Sequence, residues 1–337
     1  MLYTRREIGK LALTIPAAGL VPRARSARAR PDSKWSGVQV GIIAPYAFQR
    51  TATTAEEILE AIVALGISAV ELQNDPVERY AGAPAVARPA GGGAAGPRGP
   101  AGAAPAGARP GGGGRRELTP EQQAERRAHA EELKKWRLAA PMASYGALRR
   151  MYNDAGVQIY GFKLALTDSM SDEEYEYTFN VAKALGANQL TMEMPDNDGA
   201  LTRRIGEAAS RHGIVVGYHQ HLQATFTLWD EALAQSKHNG INLDIGHYVA
   251  GTSQSPIPLI EKHHGRITSI HLKDRKKDRG ENMPWGQGDT PIKEVLQLMK
   301  RERYTFPATI ELEYRVEGSD PMTELKKCVQ FCKDALA

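Results

Sequence analysis

The sequence predicts an α/β protein of the (β/α)8 class, a TIM barrel. Three observations predict it: apolar, β-branched runs alternate with helix-periodic segments, eight such pairs fit in 337 residues, and polar residues collect where the runs end. The composition, 42% hydrophobic and 24% charged, is that of a globular chain with a large core. A doubly wound open sheet is the alternative. The first run, Gly41-Ile42-Ile43-Ala44-Pro45, lacks the G-x-G-x-x-G pattern of dinucleotide-binding sheets.

The predicted strands are short apolar runs between capped helical segments. In chain order they cover residues 38–44, 69–72, 157–165, 189–194, 214–221, 241–245, 267–272 and 307–312. Capping boxes at Thr54-x-x-Glu57 and Ser171-x-x-Glu174 predict two helix starts, and Thr119-Pro120 predicts a third with proline in the first turn. A single barrel domain over residues 36–337 follows from this alternation.

Residues 81–114 interrupt the pattern after the second strand. They are almost entirely Ala, Gly, Pro and Arg, without periodicity or large apolar side chains. Such a segment cannot bury enough surface to offset its ordering entropy, so we predict a disordered low-complexity insertion. It follows a strand, on the edge where barrels accept insertions. A tolerated expansion is the simpler interpretation, and a mobile cover of the site is the alternative.

Residues 1–30 are predicted to be a twin-arginine export signal. A Thr-Arg-Arg stretch at residues 4–10 precedes an apolar run at 11–21 and an Ala-x-Ala site at Ala27-Arg28-Ala29. We therefore expect export to the periplasm, with a disordered basic tail or a retained anchor as alternatives. The apolar run is too short for a stable span, and no other segment is apolar enough to cross a membrane, so no span is expected after signal removal.

The net charge of the folded part excludes one class of partner. The whole chain carries +4, but residues 1–30 contain seven basic residues and one acidic residue, so the chain from Pro31 onward carries −2. A nucleic-acid-binding protein needs its basic surface in the folded part. We therefore expect no nucleic-acid partner.

Acidic, imidazole and ammonium side chains mark the carboxyl ends of the predicted strands. From the second strand to the eighth they are Glu71, Lys163, Glu193, His219 with His221, Asp244 with His247, His271 with Lys273, and Glu311 with Glu313. Strand side chains alternate, so residues two apart point the same way. The carboxyl ends of barrel strands meet at one mouth, which is where barrel enzymes have their active sites.

A divalent cation explains this set better than separate structural roles do. Any one of these residues alone is equally compatible with a hydrogen-bonded core position. Burying several carboxylates and imidazoles together is costly unless a cation or substrate pairs with them. Mixed oxygen and nitrogen ligands without thiolates suit Mn²⁺, Mg²⁺, Co²⁺ or Zn²⁺. Such an ion can polarise a carbonyl and stabilise the enediolate that forms when a neighbouring base removes the α-proton.

Five motifs in the C-terminal half carry a family resemblance. They are Gly217-Tyr218-His219-Gln220-His221, Leu243-Asp244-Ile245-Gly246-His247, His271-Leu272-Lys273-Asp274, Trp285-Gly286-Gln287-Gly288-Asp289 and Ile310-Glu311-Leu312-Glu313. From about Ser36 onward the chain resembles the xylose isomerase-like TIM-barrel superfamily of sugar phosphate isomerases/epimerases. That group includes hydroxypyruvate isomerase, ketose 3-epimerases, inosose dehydratase and endonuclease IV. The motif layout is most similar to inosose dehydratase-type members.

The resemblance implies a metal ion held by Asp244, His271 and Glu311. The fourth ligand has two candidates. Epimerases of the family have a glutamate on the fifth strand, where this chain has His219. Inosose dehydratase-type members end the fourth strand with a glutamate, here Glu193, so we assign Glu193 and keep His219 as the substitute.

Four more residues are assigned as catalytic: His221, His247, Lys273 and Glu313. The two histidines and the lysine are expected to contact substrate oxygens or relay protons. In the epimerases, two glutamates form the acid/base pair on opposite faces of the sugar, and this chain has only one of that pair.

The leading functional prediction is a divalent-metal-dependent isomerase or epimerase. Its substrate would be a small sugar, keto-sugar or cyclitol, unphosphorylated because the protein is expected to be exported. The alternative uses the same site as a dehydratase, hydratase or lyase. An endonuclease IV-like phosphodiesterase would need more metal ligands and a basic groove. A non-catalytic carbohydrate-binding barrel is the fourth possibility, and a homo-oligomer is compatible with each.

Overall fold

A computed structural model describes residues 30–84, 119–196 and 199–337 of the chain. The predicted export signal lies outside these residues except for Arg30, and so do residues 85–114 of the predicted insertion. None of the described helices combines the length and apolarity that are needed to cross a bilayer.

Nine strands form the sheet within the described residues. They are β1 (Lys34–Trp35), β2 (Val38–Ala44), β3 (Ala69–Gln73), β4 (Gln158–Lys163), β5 (Gln189–Glu193), β6 (Val215–His219), β7 (Asn239–Asp244), β8 (Ile267–Leu272) and β9 (Ala308–Ile310). Strands β2 to β9 are parallel, each pairs with the next, and β9 pairs back with β2. This closure confirms the predicted (β/α)8 barrel. Strand β1 forms an antiparallel pair with β2 that the sequence analysis did not predict.

Eleven α-helices are present in the described part of the chain. They are α1 (Ala55–Leu65), α2 (Asn74–Tyr80), α3 (Pro120–Ala139), α4 (Met142–Asp154), α5 (Asp172–Leu185), α6 (Gly199–His212), α7 (Asp230–Gln235), α8 (Ile245–Thr252), α9 (Ile257–His263), α10 (Ile292–Glu302) and α11 (Pro321–Leu336). Short 3₁₀ helices occupy Tyr46–Phe48 and His264–Arg266.

Local sequence explains the helix boundaries. The capping boxes at Thr54 and Ser171 are formed as predicted, and Thr119 caps α3 with Pro120 in the first turn. Gly66 ends α1 in the left-handed conformation, which glycine adopts without a Cβ penalty. Helices α2 and α7 were missed because six or seven residues are too few to show helical periodicity.

Helices α2 and α3, on either side of residues 85–118, are joined by a buried ion pair. Arg137 Nε donates to Glu78 Oε1 at 2.8 Å, and Arg137 Nη2 donates to Glu78 Oε2 at 3.2 Å. The Tyr177 hydroxyl on α5 also donates to Glu78 Oε1, at 3.1 Å. Only 10% of the Arg137 side chain and 4% of the Glu78 side chain are exposed. Water therefore cannot replace either partner in solvating the charge of the other.

The barrel interior is unusually polar below the mouth. Apolar side chains from the strands and helices form one continuous core around it. Inside, the fully or almost fully buried polar residues are Glu71, Gln189, Thr191, Asn242, Ser269 and Thr309. Branched apolar residues usually fill these positions in a TIM barrel. Here Gln189 and Asn242 both donate to Ser269, and Asn242 also donates to Glu71, which gives a hydrogen-bonded layer below the mouth.

Candidate metal and active site at the barrel mouth

Strand register brings the candidate ligands together. Asp244 is level with His271 across β7 and β8, and His219 is level with Asn242 across β6 and β7. Just beyond β9, the Glu311 backbone N–H donates to the Leu272 carbonyl at 3.1 Å, which continues the ladder to the mouth. The ends of the four neighbouring strands β6 to β9 therefore each place one candidate ligand at the barrel mouth.

His219, Asp244, His271 and Glu311 form one buried group able to hold a metal ion. One ligand atom from each lies within 4.8 Å of the others. His219 Nε2 is 3.9 Å from Asp244 Oδ2, and His271 Nδ1 is 2.6 Å from Glu311 Oε2. Two imidazoles and two carboxylates match the mixed ligand set expected from the sequence.

Asn242 fixes the tautomer of His219. Its Nδ2 donates to Ser269 Oγ at 2.9 Å and to Glu71 Oε2 at 3.2 Å, so its Oδ1 faces His219 Nδ1 at 2.9 Å. His219 Nδ1 therefore carries the proton, and Nε2 presents its lone pair to the group. Burial, helped by nearby Lys163 and His271, lowers the pKa of His219 well below its usual value. The ring is neutral, as a metal ligand must be.

Glu71 orients His271 from below. Its Oε2 lies 3.3 Å from His271 Nε2, while His271 Nδ1 faces Glu311. Burial alone would lower the pKa of His271, but the carboxylates of Glu71 and Glu311 raise it to about 9. A carboxylate behind a histidine is the usual support of a metal-ligating imidazole.

The donor set fits a divalent cation. Glu71, Asp244 and Glu311 are buried, with Glu313 beside them, and Lys273 is the ammonium in contact with this set. Glu71 Oε1 is buried and accepts no hydrogen bond from any described residue, while the buried Asp244 Oδ2 contacts Lys273 Nζ at 2.8 Å. Buried oxygens without a donor are rare in folded proteins unless a cation or water reaches them.

The structure places Glu193 apart from the four-residue group. Its Oε1 pairs with Lys163 Nζ at 2.8 Å, and its Oε2 lies 3.3 Å from His221 Nε2. With His219 and His221 it forms a second, more exposed cluster that could also hold a metal. His219, the substitute candidate, is therefore the residue that joins Asp244, His271 and Glu311. His221 lies at the rim, about half exposed.

The remaining predicted catalytic residues border the group. Lys273 Nζ contacts Asp244 Oδ2 at 2.8 Å, Glu311 Oε1 at 3.1 Å and Glu313 Oε2 at 2.8 Å. The Tyr46 hydroxyl also donates to Glu313. His247 Nε2 lies 4.0 Å from Glu313 Oε2, and burial with nearby Lys273 lowers the pKa of His247 to about 2.

Two glycines permit close backbone packing around the barrel mouth. A Cβ at Gly246 would lie 2.6 Å from the Lys273 carbonyl oxygen, so only glycine lets α8 pack against the end of β8. A Cβ at Gly288 would lie 1.9 Å from Asp274 Oδ1. Asp274 accepts hydrogen bonds from the backbone N–H groups of Gly286, Gly288 and Thr290, at 2.7, 2.9 and 3.2 Å. The Trp-Gly-Gln-Gly-Asp motif is thus a loop folded around Asp274.

Sequence reasoning gave no role to the supporting residues. Asn242 and Ser269 precede Asp244 and His271 by two positions, so strand alternation alone puts each pair on one side. This two-residue spacing could have indicated that Asn242 and Ser269 lie below the candidate ligands inside the barrel. Glu71 was noted at a strand end but received no role. The contact between Tyr46 and Glu313 depends on loop geometry, and no sequence pattern indicates it.

A model of the xylose isomerase-like TIM-barrel family matches residues 139–335, more than half of the chain. The chain belongs to this family. The match spans β4 to β9 and so includes every predicted site residue. It confirms the resemblance that the five motifs indicated.

Two curated relatives match shorter stretches. Inosose dehydratase of Erwinia tasmaniensis is 35% identical over 78 residues, which is 21% of this chain and 26% of that protein. L-ribulose-5-phosphate 3-epimerase UlaE of Escherichia coli is 28% identical over 94 residues, 28% of this chain and 32% of that protein. The chain thus spans about a quarter to a third of the length of these relatives. Epimerases and dehydratases both occur among the relatives of this family member.

Solved structures share the fold at low identity. The probable 3-DHS dehydratase AsbF of Bacillus anthracis superposes with a TM-score of 0.56 at 13% identity, over 86% of this chain and 98% of that chain. D-allulose 3-epimerase of Methylomonas sp. gives a TM-score of 0.54 at 14% identity, over 88% and 98% of the two chains. At these identities the likeness concerns the fold alone.

Proposed function

We propose that this family member is a divalent-metal-dependent enzyme that isomerises or epimerises a sugar, keto-sugar or cyclitol through an enediolate. One observation carries the proposal: His219, Asp244, His271 and Glu311 converge within 4.8 Å in a buried position at the barrel mouth. Four such groups would be costly to bury together without a cation. Mn²⁺, Co²⁺, Zn²⁺ and Mg²⁺ all take ligands of this kind.

A divalent ion held by these four residues would supply Lewis-acid polarisation of adjacent hydroxyl and carbonyl oxygens. The chain's own residues supply the proton transfer. Glu313 is the best-placed base, because its side chain is 17% exposed at the mouth and its Oε2 lies 2.8 Å from Lys273 Nζ. The Tyr46 hydroxyl, which donates to Glu313, orients that carboxylate. Lys273 and His247 are within reach of substrate oxygens beside it.

The substrate class follows from the charges at the mouth. Lys163 is paired with Glu193, and Lys273 is surrounded by three carboxylates, so neither ammonium is available to a phosphate group. This supports an unphosphorylated substrate. Export of the protein to the periplasm by the twin-arginine route, proposed from residues 1–30, agrees with that choice.

Water elimination from the same enediolate is the second candidate. One observation favours it: His219 occupies the fifth-strand position where the epimerases have a glutamate. The inosose dehydratase of Erwinia tasmaniensis, similar over 78 residues, is named for this type of reaction.

A deuterium-exchange experiment tests both candidates. Metal-stripped protein is reloaded with Mn²⁺ and incubated in D₂O with a panel of keto-sugars and inososes. Isomerisation or epimerisation leaves the product mass unchanged apart from deuterium, whereas elimination lowers it by one water. Exchange that is equally fast in Asp244→Ala, or without metal, would contradict the proposal. Asp154→Ala, an exposed position at the end of α4, is the matched control.

A further inference from the structure

A buried contact joins His247 and Arg275 beside the barrel mouth. Arg275 Nη1 lies 2.9 Å from His247 Nδ1, and both residues are buried. The other nitrogen of the ring, Nε2, faces the mouth, 3.8 Å from Asp244 Oδ2 and 4.0 Å from Glu313 Oε2. His247 thus has one nitrogen toward a guanidinium and one toward the carboxylates of the site.

Arg275 is held firmly in this position. Its Nε and Nη2 donate to the Gly280 carbonyl, and its backbone N–H donates to Thr290 Oγ1 at 3.0 Å. The Asp289 backbone N–H donates to the Arg275 carbonyl at 2.8 Å. The neighbouring Asp274 anchors the loop that contains these partners. The guanidinium therefore has a single orientation imposed by the loop and not by His247.

This contact determines where the proton of His247 lies. A guanidinium has donors and no acceptor, so the nitrogen that it contacts must be an unprotonated acceptor. The ring proton is then on Nε2. A doubly protonated ring would place its Nδ1–H against an N–H group of Arg275. We propose that Arg275 is a positioning residue that fixes His247 as a neutral Nε2–H donor aimed at a substrate oxygen.

The proposal gives His247 a narrower role than the one predicted from the sequence. A ring whose Nδ1 is occupied by Arg275 and whose Nε2 already carries a proton cannot accept one from the substrate. It can donate a hydrogen bond to an oxygen that gains negative charge, as an oxyanion-hole donor does. His247 is thus a stabilising donor and not a proton relay. For the identity of that oxygen, the proposal rests on the proposed enediolate chemistry.

Nitrogen-15 NMR of histidine-labelled protein tests the assignment without any substrate. Of the nine histidines in the chain, His247 is identified by the signals that disappear in His247→Gln. Spectra are recorded for metal-free and Zn²⁺-loaded protein. We expect His247 to show a protonated Nε2 and an unprotonated Nδ1. In Arg275→Met, we expect the two tautomers to mix and the Nδ1 signal to move, with a smaller change in Arg275→Lys.

Arg279→Met is the matched control, because it removes an exposed positive charge from the same loop without touching His247. It should leave the His247 signals unchanged. A wild-type His247 with its proton on Nδ1, or unaltered signals in Arg275→Met, would overturn the proposal. The wild-type spectrum decides the question even if Arg275→Met does not fold.

Kinetics then separate this proposal from the proposed function. With an active substrate, Arg275→Met should lower kcat by about 10²-fold with a smaller change in KM, as expected for a donor that acts mainly in the transition state. Arg275→Lys should recover part of the loss. An Nε2–H His247 in a protein that turns over no sugar, keto-sugar or cyclitol contradicts the proposed function alone, and the tautomer assignment stands.

Discussion

Lys273 Nζ lies 2.8 Å from Asp244 Oδ2, within the group of side chains assigned to the metal. The same ammonium is 3.1 Å from Glu311 Oε1. It therefore shares two carboxylates with any cation that the four ligands hold. Burial alone would lower the pKa of Lys273, but Asp244, Glu311 and Glu313 raise it well above its usual value, so the lysine stays charged. The lysine and a bound metal ion would therefore compete for the same negative charge.

Removing this ammonium should tighten metal binding. In Lys273→Met we expect the Kd for Mn²⁺ to fall at least about tenfold, because the repulsion between two cations a few ångströms apart disappears. Turnover should be lost. A competition titration with a fluorescent chelator measures the affinity. Lys276→Met, which removes a half-exposed ammonium paired with Asp289, should change the Kd less than about twofold. An unchanged or higher Kd in Lys273→Met would show that the ammonium does not compete.

Asp244→Ala should abolish metal retention. Asp244 is fully buried and belongs to the four-residue group, and its Oδ2 lies 2.8 Å from Lys273 Nζ. Its removal deletes a ligand that no neighbour on β7 can replace. Elemental analysis of purified protein measures the metal content. The exposed Asp154→Ala variant should keep the wild-type content, and an equal content in both variants would refute the assignment.

Glu71→Gln should weaken metal binding without removing a ligand. The substitution keeps the shape of the side chain but removes the charge 3.3 Å from His271 Nε2. Loss of a carboxylate behind a ligating histidine typically costs about 10–100-fold in metal affinity. The chelator titration again gives the Kd. Glu60→Gln, at an exposed position of α1, is the control. Equal affinities in the two variants would mean that Glu71 serves only the fold.

Chelation should lower the melting temperature of the wild-type protein. A ligand that binds only the folded state stabilises it by RT ln(1 + [L]/Kd), which is about 2.7 kcal/mol at a hundredfold excess over Kd. Differential scanning calorimetry with and without EDTA measures the shift. Asp244→Ala should show no EDTA effect. A wild-type protein indifferent to EDTA, after elemental analysis has shown bound metal, would contradict the assigned site.

Arg137→Met should destabilise the fold strongly. Arg137 and Glu78 form a buried pair, and removing one partner of such a pair typically costs about 3–5 kcal/mol because the other charge is left uncompensated. Urea unfolding, with the m-value checked for two-state behaviour, gives the free energy of unfolding. Arg126→Met, at an exposed position of α3, should lie within about 0.5 kcal/mol of the wild type. A similar value for Arg137→Met would show that the pair contributes little.

Hydrophobic periodicity and helix-capping residues were the basis for predicting the fold from the sequence. All eight barrel strands lie within a few residues of their predicted positions, because each is an apolar run bounded by a cap or turn. Asp244, His271 and Glu311 were predicted to meet because barrel topology brings strand ends together whatever the loops do. Burial, tautomers and ion pairs follow from packing distances that no spacing in the sequence encodes.

The ambiguous ligand shows where sequence reasoning reached its limit. Glu193 and His219 both end strands that point into the mouth, so strand alternation allowed either. In the structure the two differ in their contacts: Glu193 pairs with Lys163 at 2.8 Å, and His219 is hydrogen-bonded to Asn242. Both are contacts between strands. The role of Arg275 could not be predicted either, because the loop of residues 274–290 sets the orientation of its side chain.

The ion pair between Glu78 and Arg137 has a practical consequence for engineering. It joins the helices on either side of residues 85–118 directly, whatever the length of chain between them. Shortening that stretch, or replacing it with a reporter domain or affinity tag, should leave the neighbouring helices in place. We therefore expect residues 85–118 to be a permissive position for fusion, away from both termini.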